Sequence, residues 1–174
     1  MEADLLKIES ARIAKLGDAV PSESARVELE SAIQSKWQGL QVSAARSFLA
    51  WGDGQSVSAV KALLSELSKS RQNFSSVSTV AIALSSHLQA ADLKWVLQLY
   101  FRESNPHNRS HLLPLFHRLP ANDAAAALER CLDTKGYDAK EVRMAIHSLT
   151  SSPHPELANK ALQRTRSKQR AFER

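Results

Sequence analysis

The sequence predicts an all-α protein built from stacked antiparallel helical hairpins, an α-solenoid of about ten helices. An apolar triplet spaced i, i+3, i+7 recurs four times, starting at residues 42, 77, 112 and 142. A break and a second helical stretch follow each triplet. Helix-forming residues dominate, and no sustained alternation of Val, Ile and Thr indicates a strand. A period of this length is typical of repeat proteins, in which no single repeat can bury its own apolar face.

Each triplet defines the predicted inward face of the first helix of a hairpin. The triplets are Val42, Ala45 and Leu49; Val77, Val80 and Leu84; Leu112, Leu115 and Leu119; and Val142, Ala145 and Leu149. A compact helical bundle in which this spacing is accidental is the alternative to a stack. Substituting Leu84 or Leu115 by Asp separates the two, because stacked repeats share interfaces and a change in one should unfold its neighbours.

Two helices without the triplet precede the hairpins. The first covers residues 3–19 with Gly17 as its stop, and the second runs from Glu23 to about Gln38. The predicted stripe of the second helix includes Trp37, which we expect in the core. We divide the chain into N-terminal capping helices over 1–40, four hairpins over 41–165 and a basic, disordered tail over 166–174. These three parts form one structural domain.

The hairpin turns contain recurring acidic residues. In the first hairpin the turn is Gly52-Asp53-Gly54, and Asp53 is placed to cap the return helix. Asp92 stands near the start of the second return helix, whose apolar stripe is Leu93, Val96 and Tyr100. Helix capping explains these carboxylates better than general acid–base catalysis does. Pro114 lies inside the first helix of the third hairpin and should kink it, because proline cannot donate the backbone hydrogen bond.

The stretch from Ala45 to Leu67 resembles a HEAT repeat of the short bacterial type. It has an alanine- and leucine-rich helix, a Gly-Asp turn and a return helix rich in Ala, Val and Leu. Val142-Arg143-Met144-Ala145 is similar to the entry of the family's first helix. The second and third repeats depart from the pattern, with Ala91-Asp92 and Leu119-Pro120 at the turn. Armadillo arrays have similar patterns. The resemblance implies a right-handed superhelix with return helices along its concave side, and it implies no catalytic residue.

The net charge of +5 comes from the C-terminal end of the chain. From residue 160 onward there are six basic residues and one acidic residue, so residues 1–159 hold 17 of each and are neutral. Within that neutral part, residues 69–118 hold six basic residues against two acidic ones. A neutral body lacks the electrostatic footprint of a dedicated phosphate-binding protein.

The second return helix carries the predicted contact surface. Lys94, Gln98 and Arg102 form a polar line facing away from the core, and Trp95 is rotated off the buried stripe. We therefore expect a non-enzymatic scaffold that binds a partner protein or peptide on its concave face. The alternative is binding of a DNA backbone, with an alkylbase DNA glycosylase-like enzyme as a less favoured form. The basic residues that would contact phosphates are Lys61, Lys94, Arg102, Arg109 and Arg164.

No pattern indicates a cofactor, a metal centre or a membrane span. His107 and His111 are four residues apart, but no carboxylate lies between Glu103 and Asp123 and His117 falls on another face, so surface histidines explain them better. Cys131, the single cysteine, is expected to be a small buried thiol. The polar, acidic N-terminus is unlike a signal peptide, and a cytoplasmic location is expected.

Overall fold

The computed structural model describes residues 2–69, 74–103, 109, 111–116 and 163. These residues form six α-helices and two 3-10 turns and contain no strand, which confirms the all-α prediction. The helices are α1 (Glu2–Leu16), α2 (Glu23–Ile33), α3 (Gln38–Trp51), α4 (Gly54–Leu67), α5 (Phe74–Ser85) and α6 (Leu93–Arg102). The 3-10 turns are Ala90–Asp92 and Leu113–Phe116. The chain divides into two compact units, the first ending at His87 and the second beginning at Leu88.

Helix α3 is the centre of the first unit, where it packs against α1, α2, α4 and α5. It contributes Ala44, Ala45, Phe48 and Leu49 to the core. Ala45 and Leu49 belong to the first predicted triplet, and the third member, Val42, is half-buried. The triplet therefore marks the inward side of α3, as the spacing predicts.

The members of the second and third triplets that the structure describes are also buried. In α5 all three members of the second triplet, Val77, Val80 and Leu84, are buried. In the second unit Leu112 and Leu115 are also buried. Leu119, the whole fourth triplet and the tail over 166–174 lie outside the described residues.

The predicted Gly-Asp-Gly turn between α3 and α4 is present. Gly52 ends α3 in the left-handed conformation, with φ of 69°, and its N–H donates to the carbonyl of Phe48 at 3.1 Å. Glycine suits this position because it has no Cβ to clash there. Asp53 then caps α4, since its carboxylate accepts from the N–H of Ser56 at 2.8 Å.

The boundary between α2 and α3 differs from the prediction. Helix α2 ends at Ile33 with Gln34 as its C-cap, and Trp37 is the N-cap of α3, so the stripe predicted across this region spans two helices. Trp37 is 39% exposed, with the Lys36 ammonium 5.4 Å from the centre of its ring. The prediction that Trp37 packs in the core is therefore wrong, because the chain leaves the helical path before reaching it.

Small residues let α1 approach α3 closely. A Cβ on Gly17 would lie 2.8 Å from the Cα of Ser47. The Ser47 hydroxyl donates to the carbonyl of Ile13 at 2.9 Å, and the hydroxyls of Ser10 and Ser43 are 2.6 Å apart. Two helices can come this near only where neither carries a bulky side chain. Gly17 therefore stops α1 as predicted and also supplies this contact.

The region around Pro114 also differs from the prediction. It forms the 3-10 turn Leu113–Phe116, not a kinked α-helix, and Pro114 is the second residue of that turn. The turn is closed by the N–H of Leu115 donating to the carbonyl of Leu112 at 3.1 Å. Proline is tolerated at the start of a helical segment because its missing N–H would have no partner there.

Candidate interaction surface

The candidate site lies on the outer side of α6. Lys94, Gln98 and Arg102 are all exposed, at the spacing i, i+4, i+8 that the sequence indicates. Eight residues of α-helix separate the first from the last by about 12 Å along the helix axis. Phe101 lies on the same side, three residues after Gln98, and is 48% exposed. We call these four residues the α6 surface.

The opposite side of α6 anchors the helix. Val96, Leu99 and Tyr100 are buried, which confirms the predicted position of Val96 and Tyr100 in the core. The Tyr100 ring packs edge-on against Phe116, with ring centres 5.4 Å apart. A helix held by this many buried side chains presents its outer face in a fixed orientation, which lowers the entropy cost of binding.

The N-terminal end of α6 is stabilised by the preceding 3-10 turn. Gln89 is the N-cap of that turn, and its backbone N–H donates to the Asp92 carboxylate at 2.8 Å. The Gln89 side chain accepts in return from the backbone of Asp92, so the two residues form a capping box. Asp92 is thus a capping residue, as predicted, although its side chain caps the 3-10 turn and makes no capping bond to α6.

Arg109 lies at the C-terminal end of α6. Its guanidinium donates to the carbonyl of Glu103, the C-cap of the helix, at 3.1 Å. A cation at this position is favourable, because the carbonyl groups at a helix C-terminus carry partial negative charge. Two arginines, Arg102 and Arg109, therefore place positive charge at the same end of the helix.

Phe101 is a site residue that the sequence interpretation missed. Its ring centre is 5.5 Å from that of Tyr100 in an edge-on contact, and about half of the residue is exposed. The signal was available, because a residue three positions after Gln98 and seven after Lys94 shares their helix face. Trp95, which helical periodicity places off the buried stripe, is half-buried.

The two remaining predicted contact residues, Lys61 and Arg164, are not among the described residues of the second unit. Lys61 is half-buried on α4 and belongs to the first unit. Arg164 lies outside the described residues. Of the seven predicted residues, the structure therefore places Lys94, Gln98 and Arg102 on one exposed face, with Trp95 beside it and Arg109 at the end of its helix.

A second polar cluster, the Asp53 network, occupies the first unit and consists of Arg26, Trp51, Asp53 and Ser56. The Arg26 guanidinium donates to the Asp53 carboxylate at 3.0 Å and to the Ser56 hydroxyl at 3.3 Å. It also lies 5.3 Å from the centre of the Trp51 ring, within the range of a cation–π contact. The Trp51 indole N–H donates to the carbonyls of Leu16 and Ala19.

The Asp53 network fixes the charge of its carboxylate. Hydrogen bonding from the Ser56 backbone, followed by the Arg26 side chain and the Ser56 hydroxyl, lowers the pKa of Asp53 to about 2 from an ordinary value of 3.8. A carboxylate with this pKa stays ionised at neutral pH and accepts a proton poorly. The geometry therefore agrees with the predicted capping role of Asp53.

Across the part of the chain that the structure describes, no group of three or more His, Cys, Asp or Glu residues is arranged to hold a metal ion. His107, His117 and Cys131 lie outside that part. Within the same residues, none of the helices combines the length and the apolar character needed to cross a bilayer.

Comparison of the chain with protein-family models, with curated proteins and with solved structures found no match.

Proposed function

We propose that the protein is a non-enzymatic, HEAT-like interaction scaffold that binds a partner protein or peptide through the α6 surface. The observation that carries this proposal is the exposed ring of Phe101 on the same rigid helix face as Lys94 and Arg102. Large apolar side chains rimmed by polar ones are typical of protein interaction sites. Aromatic and arginine side chains also supply most of the binding energy at such sites.

The packing order of the first unit supports a repeat array. Helix α3 contacts α1 and α5, the helices that lie two positions before and after it in the chain, as well as its neighbours α2 and α4. Stacked hairpins bring alternate helices together in this way. In a HEAT-like array the return helices line the concave face, and α6 is the return helix of the second predicted repeat.

The chemistry of the α6 surface defines the partner. Its two cations, Lys94 and Arg102, are about 12 Å apart along the helix axis, and Phe101 offers an apolar contact near the second of them. We expect a partner segment that carries an apolar side chain and at least two carboxylates. The apolar contact provides affinity, and the charges set the register and the rate of association.

Selection from a random peptide display library on the intact protein tests this proposal. We expect the selected peptides to be acidic and to contain apolar residues. Their dissociation constants, measured by fluorescence anisotropy, should rise at least about tenfold, or 1.4 kcal/mol, for a variant combining Lys94→Ala, Phe101→Ala and Arg102→Ala. The matched control combines Lys7→Ala, Val20→Ala and Arg46→Ala, which removes two exposed cations and one exposed apolar side chain from the first unit. Equal loss in both variants would count against the α6 surface.

A second candidate function is binding of a nucleic-acid backbone, which the arrangement of positive charge favours. Lys94 and Arg102 are on one helix face, and the Arg109 guanidinium lies at the end of the same helix. Phe101 could stack on an unpaired base. Three cations predict a slope no steeper than about −3 for log K against log salt, since each neutralised phosphate contributes about −0.9.

Mobility-shift titration at low salt discriminates the two functions. Labelled random duplex and single-stranded DNA are the probes, and the full-length protein is compared with a variant truncated after Leu162. Nucleic-acid binding through α6 should survive the truncation and be lost with Lys94→Ala and Arg102→Ala. The absence of a shift with either probe would exclude this second function.

A further inference from the structure

Helix α2 presents a face with the chemistry expected of a partner for the α6 surface, an apolar side chain accompanied by two carboxylates. Glu23, Val27 and Glu30 are all exposed, and Val27 is 57% exposed. Their spacing of i, i+4 and i+7 places the three side chains on one side of the helix, with the valine between the two carboxylates. We call these three residues the α2 face.

The α2 face has a fixed orientation and uncommitted charges. On the opposite side of the helix Ala25, Leu29 and Ala32 are buried, and α2 packs against α3. Neither Glu23 nor Glu30 takes part in an ion pair among the described residues. Both carboxylates can therefore pair with a cation from outside the chain without breaking an ion pair within this part of it.

The α2 face and the α6 surface match in charge and in length. Seven residues of α-helix separate Glu23 from Glu30 by about 10.5 Å along the axis, and about 12 Å separates Lys94 from Arg102. Arg102 already has an interaction within its own chain. Lys94 takes part in no ion pair among the described residues, so it is the cation on which the pairing depends.

The apolar side chains fall within the same stretch of both helices. Phe101 lies seven residues after Lys94, about 10.5 Å along the axis, and Val27 lies four residues, about 6 Å, from Glu23. When Phe101 and Val27 are in contact, the flexible four-carbon stem of the lysine spans the remaining distance to a glutamate. The apolar contact and the ion pair can therefore form together.

We propose that the partner of the α6 surface is the α2 face of a second copy of this chain, on the premise that the α6 surface is an interaction site. The two surfaces differ and belong to different units of the chain. The contact between copies is therefore head-to-tail, and a contact of this kind extends beyond a dimer, into a ring or an open chain of copies. The charges set the register and the rate of association.

Sedimentation velocity of the intact protein, from micromolar to millimolar concentration, should show a weight-average mass that rises past that of a dimer. Phe101→Gln alters the α6 surface and Val27→Gln alters the α2 face, and each should weaken association at least about tenfold. An equimolar mixture of the two variants should stop at a dimer, because one intact α6 surface and one intact α2 face remain in each pair. Val20→Gln, at a position that is 86% exposed and outside the helices, should leave association unchanged. Circular dichroism establishes that each variant is folded.

Charge reversal tests the ion pairing. Lys94→Glu alone should weaken association at least about tenfold, and so should Glu23→Lys combined with Glu30→Lys. Placing all three substitutions in one chain should restore part of the association, because the paired charges are exchanged while Arg102 keeps its sign. Lys7→Glu, at an exposed position on α1, is the matched control for Lys94→Glu.

Each outcome supports or overturns the α2 face as the partner. A monomer at every concentration would overturn it, whereas acidic peptides that are selected by the protein and depend on Phe101 would still support the proposed function. Association that is weakened by Phe101→Gln but not by Val27→Gln would overturn the α2 face as the occupant of α6. Association that is insensitive to Phe101→Gln would also overturn it, because the copies would then meet through another surface. A mixture that grows past a dimer would overturn the head-to-tail contact.

Discussion

The two units use the same types of residue in opposite ways. In the first unit the Arg26 guanidinium lies against the Trp51 ring and pairs with Asp53, and only 16% of its side chain is exposed. In the second unit Lys94, Arg102 and the ring of Phe101 are on the exposed face of α6. An arginine and an aromatic ring therefore do not define a role. Burial decides whether they stabilise the fold or are exposed to a partner.

The largest difference is expected between the two aromatic residues. Trp51→Ala should lower the free energy of unfolding by about 2–4 kcal/mol, because it removes a half-buried ring and the hydrogen bonds to Leu16 and Ala19. Phe101→Ala should cost no more than about 1 kcal/mol, since an exposed ring is lost and alanine favours the helix. Urea unfolding followed by circular dichroism measures both. Equal losses of unfolding free energy would contradict the distinction between the Asp53 network and the α6 surface.

Replacing the cations Arg26 and Lys94 should affect the free energy of unfolding in the same order, with a smaller difference between the two units. Arg26→Ala is expected to cost about 1–2 kcal/mol, because the Asp53 carboxylate loses a charged partner in a partly buried site. Lys94→Ala should change the free energy of unfolding by less than about 0.5 kcal/mol. Arg26→Lys is a further control, since lysine keeps the charge and loses the planar donor pair. A large effect of Lys94→Ala on stability would assign α6 a structural role.

Acid should weaken the Asp53 network over a defined range of pH. The folded-state pKa of Asp53, about 2, lies below its ordinary value of 3.8, so the stabilisation is complete above the ordinary value and is lost as the pH falls through the folded one. Because the side chain is 38% exposed, we expect an effect of about 1 kcal/mol or less. The measurement compares thermal unfolding of the wild type and Asp53→Asn, which keeps an acceptor for the Ser56 N–H. The difference in unfolding temperature between the two proteins should shrink towards pH 2. A difference that stays constant as the pH falls would argue against a lowered pKa of Asp53.

The smallest effect is expected at the ion pair between Arg12 and Glu28. The Arg12 side chain is 49% exposed and the Glu28 side chain is 33% exposed, and a pair with this access to water contributes little because water and salt screen it. Glu28→Gln should therefore change the free energy of unfolding by less than about 0.5 kcal/mol. A loss as large as that of Arg26→Ala would show that exposure does not separate structural from surface cations in this protein.

Local patterns predicted the parts of the structure that depend on neighbouring residues. The turn at Gly52 and Asp53 follows from the conformational freedom of glycine and the capping preference of aspartate. The exposed line on α6 follows from helical periodicity. Helical periodicity gave a wrong prediction at Trp37. The apolar stripe continues at helical spacing through the non-helical residues between the end of α2 and the start of α3.

The sequence by itself determined the all-α class, the inward side of α3 and α5, and the basic line on α6, because helix formation and amphipathic spacing act over a few residues. Only the tertiary structure decided that Arg26 belongs with Asp53, that Trp51 bonds to the end of α1, and that Gly17 lies against Ser47. These pairs are 27 to 35 residues apart in the chain, and no local preference specifies which distant side chain will meet which. The packing of α1, α2 and α4 around α3 brings them together, and the same packing leaves Leu5 and Ile8 outside the core.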